Sequence, residues 1–451
     1  HDAAGEGNWT LVNDLLHKGA DINERDTILL RFDGDDHHEA TPLHAACSEG
    51  QLKIVRLLLD RGADEHEKCA LGWSALHYAC TSGDLETIQL LLDRGASLEE
   101  KDCLGRTPLY LALEDFCESS PSPETAEFLL DRGADLNVRD NEGNTPLHNA
   151  CCYSDWYRST ILLFLERGAD VNAINDANET PLHIACEAGS VDIVEWLLGE
   201  DANANVEGME ELLRPLMHEF IKSGRLQTVR SLLDGGYNLE EKYDRQTPLC
   251  TACEFNKVEI AKLLIDRGAI IEAVGTDGCT PFMQACAKSR IEIAQLLLER
   301  HANVDAEDDE EQTTLGLACR SSCHVFSYVL DKEVIRLLID AGADINGNDK
   351  LNTPLLFACG HGGDATVVRM LLDAGADVSA EGSDKITPLH SACGFGEVEV
   401  VQLLLDRQAN LEARTTGGFT PLLFACEQFD KPEVLRLLLD RGANVQVRTA
   451  C

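Results

Sequence analysis

A single heptapeptide recurs along the whole chain, and no other feature restricts the possible folds so strongly. Thr41-Pro42-Leu43-His44-Ala45-Ala46-Cys47 returns, with substitutions, at Ser74, Thr107, Thr145, Thr180, a degenerate Pro215, Thr247, Thr280, Thr313, Thr353, Thr387 and Thr420. Successive starts lie 33, 33, 38, 35, 35, 32, 33, 33, 40, 34 and 33 residues apart, a period of 33 broken by a few insertions. A period in this range marks one supersecondary unit used repeatedly, and such a unit acquires a core only by stacking on its neighbours. The usual expectation of about three globular domains for 451 residues therefore lapses.

Within a unit the residues spell out two short helices. Thr ahead of Pro is a helix start: the hydroxyl accepts from a free backbone amide of the first turn, and Pro at the first helical position lacks only a donor that would go unused. A second motif follows, as in Ile54-Val55-Arg56-Leu57-Leu58-Leu59-Asp60-Arg61-Gly62-Ala63-Asp64. Its apolar residues Leu52, Ile54, Val55, Leu57, Leu58 and Leu59 cover more than one stripe of a helix, so neighbouring units must bury both flanks. Gly62, Gly95, Gly133, Gly168, Gly268, Gly342, Gly375 and Gly442 stop this second helix, where a left-handed residue is needed. Asp201, His301 and Gln408 stand at the same position and are expected to be left-handed without being glycine. A connector then leads to the next Thr. The stretch from Asp135 to Asn144 is typical, and its Asn, Asp and Gly content suits a turn or hairpin.

Charge and composition narrow the functions. There are 38 Lys plus Arg against 79 Asp plus Glu, a formal net charge of −41, on a chain that is 44% hydrophobic and 5% aromatic. It is too apolar for a disordered acidic tail and too acidic for a general binder of nucleic-acid phosphates. No apolar run approaches the roughly 18 residues of a transmembrane helix; the longest are of the kind Ile161 to Leu165.

With the Thr-Pro-Leu-His-x-Ala motif, the Leu-Leu-x-x-Gly-Ala-Asp ending and the period of 33, the chain resembles the ankyrin repeat family over essentially its whole length. The array also resembles the long ankyrin arrays of fungal proteins. The resemblance implies an all-α repeat solenoid, in which helix-turn-helix units with a β-hairpin in each connector form a curved stack. Residues 1–40 are expected to be a partial repeat with an extended hairpin, and residues 41–451 twelve stacked repeats starting near 41, 74, 107, 145, 180, 215, 247, 280, 313, 353, 387 and 420. His1 to Gly7 aligns with His44 to Gly50, and Gly442 to Cys451 stops just short of another Thr, so the ends read as those of a fragment of a larger chain. Insertions in the units starting at Thr107, Thr145, Thr313 and Thr353 fall between first and second helices, on the edge expected to lie opposite the connectors. Extra residues around Thr27 to His38 lengthen one connector into a finger with its turn near Asp33-Gly34.

Residues able to carry chemistry dissolve into the repeat. Ten of the eighteen cysteines, Cys47, Cys80, Cys151, Cys186, Cys253, Cys286, Cys319, Cys359, Cys393 and Cys426, share one position of the unit, which Leu113 and Ile221 fill elsewhere. A position that accepts Cys, Leu or Ile is a small apolar core site. Stacked helices lie ~8–10 Å apart, beyond the ~7 Å Cα separation that a disulfide tolerates, so this ladder is expected to stay reduced, as in a cytoplasmic or nuclear protein. Seven of the fourteen histidines, His1, His44, His77, His148, His183, His218 and His390, stand at the fourth motif position, where Tyr110, Cys250, Met283, Gly316, Leu356 and Leu423 replace them. A metal or catalytic role would not accept those substitutes, whereas a hydrogen bond near the helix start would.

Cys250-x-x-Cys253 has the spacing of half a zinc site or a redox pair, but no second pair follows. Cys319, Cys323 and His324 beside one insertion, and Asp33, Asp35, Asp36, His37 and His38 in another, lack a recognised ligand spacing and read as solvated loops. Ser119-Ser120-Pro121-Ser122-Pro123, with two Ser-Pro steps, reads as a plain polar loop, phosphorylation of it being the alternative. No phosphate-binding loop, nucleophile elbow or acid pair stands out, so neither an enzymatic activity nor a metal or other cofactor is expected.

What remains is surface. The resemblance implies that partners bind the connector tips and the exposed face of the first helix, together a concave groove. Those positions hold Trp73, Ile386 and Phe419 at tips and Tyr153, Phe255 and Phe395 on helices. The same surfaces carry Glu49, Glu114, Asp115, Glu187, Glu254 and Glu427, and one connector runs Asp305-Ala306-Glu307-Asp308-Asp309-Glu310-Glu311. The expected function is a non-enzymatic, monomeric protein-protein interaction scaffold, with apolar residues as anchors and basic segments of partners drawn by the acidic face. An acidic face that serves solubility alone is the plainer reading of the charge. The alternative is the regulatory or targeting region of a larger enzyme, channel or ubiquitin-ligase adaptor.

Overall fold

The computed structural model describes residues 1–28, 38–113, 123–152, 158–206, 208–320, 332–347, 353–360, 363–426 and 432–446. In it the Thr starts open helices. Thr41 holds an extended backbone (φ −86°, ψ 165°), its side chain accepts from the His44 amide, and Pro42 occupies the first helical position. Thr247, Thr280, Thr313, Thr353 and Thr387 cap the amide three residues on in the same way. Second helices such as Leu52–Asp60, Leu85–Asp93, Val258–Asp266 and Val398–Asp406 run for nine residues each. Beyond them the chain turns left-handed: Gly95 has φ +101°, and Asp201, His301 and Gln408 adopt +60°, +67° and +66°, as their position requires. The degenerate unit differs. With no Thr-Pro start to begin a new helix, Pro215 lies inside one 15-residue helix, Met209–Ser223.

The chain forms two compact bodies, His1–Leu216 with Asp234–Tyr237 and Met217–Leu233 with Asn238–Cys451. In the first, helices Asp2–Gly5, Pro42–Ser48 and Ala75–Ser82 pack in one row, and Trp9–His17, Leu52–Asp60 and Leu85–Asp93 in a second. In the other body, Pro248–Glu254, Pro281–Ala287, Thr314–Cys319 and Pro354–Ala358 form one row, and Val258–Asp266, Ile291–Glu299 and Lys332–Asp340 the second. Second helices bury both flanks, as their apolar pattern requires: Ile54, Val55 and Leu58 are at most 1% exposed and Leu59 7%, while Arg56 and Asp60 face solvent. Each such side chain contributes ~1.5–3 kcal/mol on burial, and because the burying surface belongs to the next unit, no unit keeps that stabilisation alone. Outside this core, arginines after the second helices reach the preceding unit's Asp, as in Arg94 to Asp60 at 2.7 Å and Arg407 to Asp373 at 2.6 Å.

The shared cysteine position lies in the core. Cys47, Cys151, Cys253, Cys319, Cys359 and Cys393 are fully buried, only Cys426 of the ladder is exposed among the described residues, and the described thiols are free. Burial pushes the Cys186 thiol up to about 12 and lifts Cys47 beyond that, far from thiolate reactivity.

The connectors depart from the expected β-hairpins. Among the described residues the one strand pair is Asp26–Ile28 with His38–Ala40, antiparallel with Asp26 opposite Ala40, in the lengthened connector of the first unit. Its turn near Asp33-Gly34, with Asp35, Asp36 and His37, lies outside the described residues. In other connectors a five-residue turn is closed by a backbone bond of 2.8–3.1 Å between its ends: the Cys69 amide donates to the Trp73 carbonyl, Asp102 to Arg106, Asn175 to Glu179, Gly275 to Cys279 and Asp308 to Gln312. A second bond lies inside the turn, as from the Gly72 amide to the Cys69 carbonyl at 2.9 Å and from Gly105 to Asp102 at 3.1 Å, and a further donor goes to the neighbouring connector. The Cys103 amide donates to the Leu71 carbonyl, Asn141 to Leu104 and Asp176 to Glu142, each at 2.9 Å. Connectors are thus satisfied by stacking on one another as well as by their own tight turns. Side chains extend the same stacking, Asn137 Oδ1 accepting the Asp170 amide and Asn346 Oδ1 that of Asp377.

The four insertions fall between first and second helices, bracketed by Pro108–Leu111 and Pro123–Asp131, Pro146–Cys152 and Arg158–Glu166, Thr314–Cys319 and Lys332–Asp340, and Pro354–Ala358 and Ala365–Asp373. Glu114, Asp115, Ser119 to Ser122, Cys323 and His324 lie outside the described residues.

Candidate protein-binding surface

The histidine at the fourth motif position ties its own helix start to the next connector. Its Nδ1 accepts the amide of the capping residue, at 3.1 Å for Thr41 with His44, Ser74 with His77 and Thr145 with His148. That places the proton on Nε2, which donates from His77 to the Arg106 C=O at 3.2 Å, from His148 to the Glu179 C=O at 3.1 Å and from His390 to the Phe419 C=O at 3.1 Å. Tyr110 at the same position donates its hydroxyl to the Asn144 carbonyl, which explains how Tyr serves there. Burial pulls His44 and His77 down to about 4, so both stay neutral in their bonds. The connector tips are therefore held against the first helices by buried hydrogen bonds, and the surface they share is preorganised.

Of the candidate anchors, Phe255 is clearly exposed. It follows helix Pro248–Glu254, is 41% exposed, and has the Lys222 ammonium 5.6 Å from its ring centre. Ile386, Phe395 and Phe419 are half-buried, and Phe419 stands edge-on to Phe424 with ring centres 6.2 Å apart. The expectation of an exposed Trp73 is corrected: it is 4% exposed, donates its indole N–H to Asp102 Oδ2 at 3.2 Å and packs edge-on to Tyr78. Asp102 sits in the next connector and offers the indole an acceptor that lets it bury. Glu49 and Glu187 are exposed and Glu254 is half-exposed, while Tyr153 and Glu427 lie outside the described residues.

In the first body a cleft of about 580 Å³ opens where the connectors and first helices of the units starting at Thr145 and Thr180 meet. Glu142, Asn144, Asp176 and Glu179 line it from two successive connectors, and Asn149 and Cys152 from helix Pro146–Cys152. Below it Asn175 Nδ2 donates to both Asn144 Oδ1 and Glu179 Oε2 at 2.9 Å, joining the two connectors. Burial holds His148 below its usual value, so the ionised side chains lining the cleft are carboxylates, Asp176 sharing its charge with Arg139 at 3.4 Å. Partial burial, then Glu187 and Glu179, raise the Cys152 thiol, which makes it a protonated wall rather than a nucleophile. The cleft was not among the sequence candidates, because those were chosen for exposed apolar character. Its signal was the density of asparagine at Asn141, Asn144, Asn149 and Asn175.

A shallower groove of about 460 Å³ lies between second helices Leu52–Asp60, Leu85–Asp93 and Pro123–Asp131, closed at one side by Phe128 with the Arg132 guanidinium 4.4 Å from its ring. Among the described residues no three His, Cys, Asp or Glu side chains are grouped to hold a metal ion. Cys250 and Cys253 are both buried, Cys250 Sγ donating to the Ala273 carbonyl at 3.4 Å. No helix among the described residues is long and apolar enough to cross a membrane.

A family model described as ankyrin repeats (3 copies) matches residues 1–102, 61–140, 116–208, 216–308, 271–349, 301–382 and 379–449. The potassium channel AKT1 of Oryza sativa subsp. indica is 35% identical over 72 residues, 16% of this chain and 7% of the channel. Protein phosphatase 1 regulatory subunit 27 of Homo sapiens is 42% identical over 66 residues, 14% of this chain and 35% of that protein. The matches thus span well under half of either relative. Among solved structures, the human ASB11 ankyrin repeat domain is 29% identical with a TM-score of 0.44, covering 51% of this chain and 98% of its own. The Bcl-3 ankyrin repeat domain is 27% identical with a TM-score of 0.42, covering 50% of this chain and 97% of its own.

Proposed function

The chain belongs to the ankyrin repeat family, and on that premise we propose that it is a non-enzymatic scaffold that holds protein partners on its connector tips and first helices and favours basic segments. The observation that carries this reading is the cleft walled by Glu142, Asp176 and Glu179 over a neutral His148. A Lys or Arg side chain entering it exchanges water for carboxylates, and the amide oxygens of Asn144 and Asn149 accept its remaining donors. Exposed Glu49 and Glu187 extend the same sign outward, which speeds encounter more than it strengthens the complex. Ile386, Phe395 and Phe419 supply apolar contact to such partners, whereas Phe255, the most exposed of the four, has the Lys222 ammonium 5.6 Å from its ring centre and suits a segment of other charge. The reading needs no cofactor. It assigns proteins rather than nucleic acid as partners, since a net charge of −41 repels a phosphate backbone. It also places a monomer in the cytoplasm or nucleus, where free thiols persist.

The short matched segment in a potassium channel supports a second reading, in which the array is the regulatory or targeting region of a larger enzyme, channel or ubiquitin-ligase adaptor. The test of the first reading is capture of partners from lysate at low and high salt. Wild type is compared with Phe419→Ala and with a Glu142→Gln, Asp176→Asn, Glu187→Gln variant. Loss of the salt-sensitive partners from the second variant is the expected result, and the same partner profile from all three proteins would sink the reading.

A further inference from the structure

We propose that the second body carries a separate binding surface of opposite sign, a strip of cations around Phe255 that receives an acidic, partly apolar peptide segment of a partner. The strip comes from the short loops joining first to second helices in three successive units. Lys222 lies in the last turn of helix Met209–Ser223 and Arg225 in the loop after it, Lys257 stands in the next loop two residues beyond Phe255, and Lys288 and Arg290 stand in the third. Three contacts bring these loops together. The Lys222 ammonium lies 5.6 Å from the Phe255 ring centre, Lys257 Nζ comes so near Gly224 that a Cβ there would meet it at 3.2 Å, and Arg290 donates through Nε and Nη2 to the Glu254 carbonyl at 3.3 Å.

The helix starts do not call for three of these cations. Arg225, Lys257 and Arg290 each stand immediately before a second helix, at the position that Asn8, Gln51, Asp84, Ser190, Asp364 and Glu397 fill in other units. A helix start favours Asp, Asn or Ser there and disfavours a cation, because the helix already presents its positive end. Neither Lys257 nor Arg290 makes a side-chain capping bond. Successive placements against that preference, on a chain with a net charge of −41, leave a positive strip beside Phe255 while Arg290 also holds the Glu254 carbonyl.

The occupant follows from spacing and charge. Successive units lie ~8–10 Å apart and an extended peptide advances ~3.3 Å per residue, so carboxylates three residues apart fall opposite successive cations. Glu254, Glu259 and Glu292 interrupt the positive strip, and Phe255 offers an apolar contact within it. A peptide with spaced acids and an apolar side chain matches that pattern, whereas a uniformly charged polyphosphate chain meets the interrupting carboxylates.

The test uses the full chain and fluorescence anisotropy with a labelled peptide carrying Glu at every third position and one Leu. The same composition with its Glu residues in one block, and a single-stranded oligonucleotide, are the comparison ligands. Wild type should bind the spaced peptide best, with an affinity that falls as salt rises. Lys257→Asp with Arg290→Asp should weaken it about tenfold or more while the thermal midpoint holds, since Asp at the helix starts offsets loss of the Arg290 bonds to the Glu254 carbonyl. Lys257→Gln with Arg290→Gln should give the same direction of loss with the side-chain length kept. No binding by wild type, unchanged binding by both double variants, or tighter binding of the oligonucleotide overturns the proposal. Capture of basic partners through Glu142 and Asp176 is unaffected by these variants, so the two readings fail separately.

Discussion

Replacing Asp102 by Ala tests how far buried polar contacts, rather than apolar area alone, hold successive connectors together. The Asp102 side chain is wholly buried and that of Arg106 is 16% exposed. The carboxylate accepts the Leu104 and Arg106 amides at 2.9 and 2.8 Å, the Arg106 guanidinium at 2.9 Å and the Trp73 indole at 3.2 Å. Ala removes all of these acceptors at once, taking from the indole N–H its carboxylate acceptor and from a largely desolvated guanidinium the counter-charge at 2.9 Å. Breaking a buried pair in this way costs ~3–5 kcal/mol, and because Arg106 retains some access to water the lower end, ~3 kcal/mol, is expected. Trp73→Phe deletes the indole donor and should cost ~1 kcal/mol. Urea denaturation is to be combined with hydrogen exchange resolved across Cys69 to Leu113, because a repeat array need not unfold in one step. Adding Arg106→Met to Asp102→Ala should recover part of the loss, the stranded charge being gone. A loss below ~1 kcal/mol, or no recovery in the double variant, would refute the reasoning.

Two further outcomes are expected. Burial holds His44, His77 and His218 at about 4 in the folded chain, below the ordinary 6.5. The unfolded chain therefore takes up these protons first: the stability they contribute is whole above pH ~6.5, is lost as pH falls toward 4 and changes no further below that. Each site is worth on the order of 3 kcal/mol over that window, and denaturation midpoints that stay flat from pH 6.5 to 4 would contradict it. Gln408 adopts φ +66° where other units have glycine, so Gln408→Gly should raise the thermal midpoint by the equivalent of ~1 kcal/mol; an unchanged or lower midpoint would show that this turn is not strained by its side chain.

The sequence by itself determined the period, the helix starts at Thr, the left-handed stops and the buried cysteine position, because each of these rests on chemistry confined to a few neighbouring residues. Thr41 caps His44 and Gln408 turns left-handed for reasons that a local reading contains. It also showed that the second helices need partners on both flanks, since Ile54, Val55 and Leu58 could not be satisfied within one unit. Which side chain arrives from the next unit was decided only by the tertiary structure. Trp73 is buried because Asp102, 29 residues on, accepts from it. The connectors are turns rather than hairpins because Leu71 finds its donor at Cys103, in the following connector. The cleft between Glu142 and Glu179 exists because Asn175 joins two connectors. A repeat motif states what every unit has in common, whereas a binding surface is made of what differs between adjacent units, and those differences acquire a position in space only once the units are stacked.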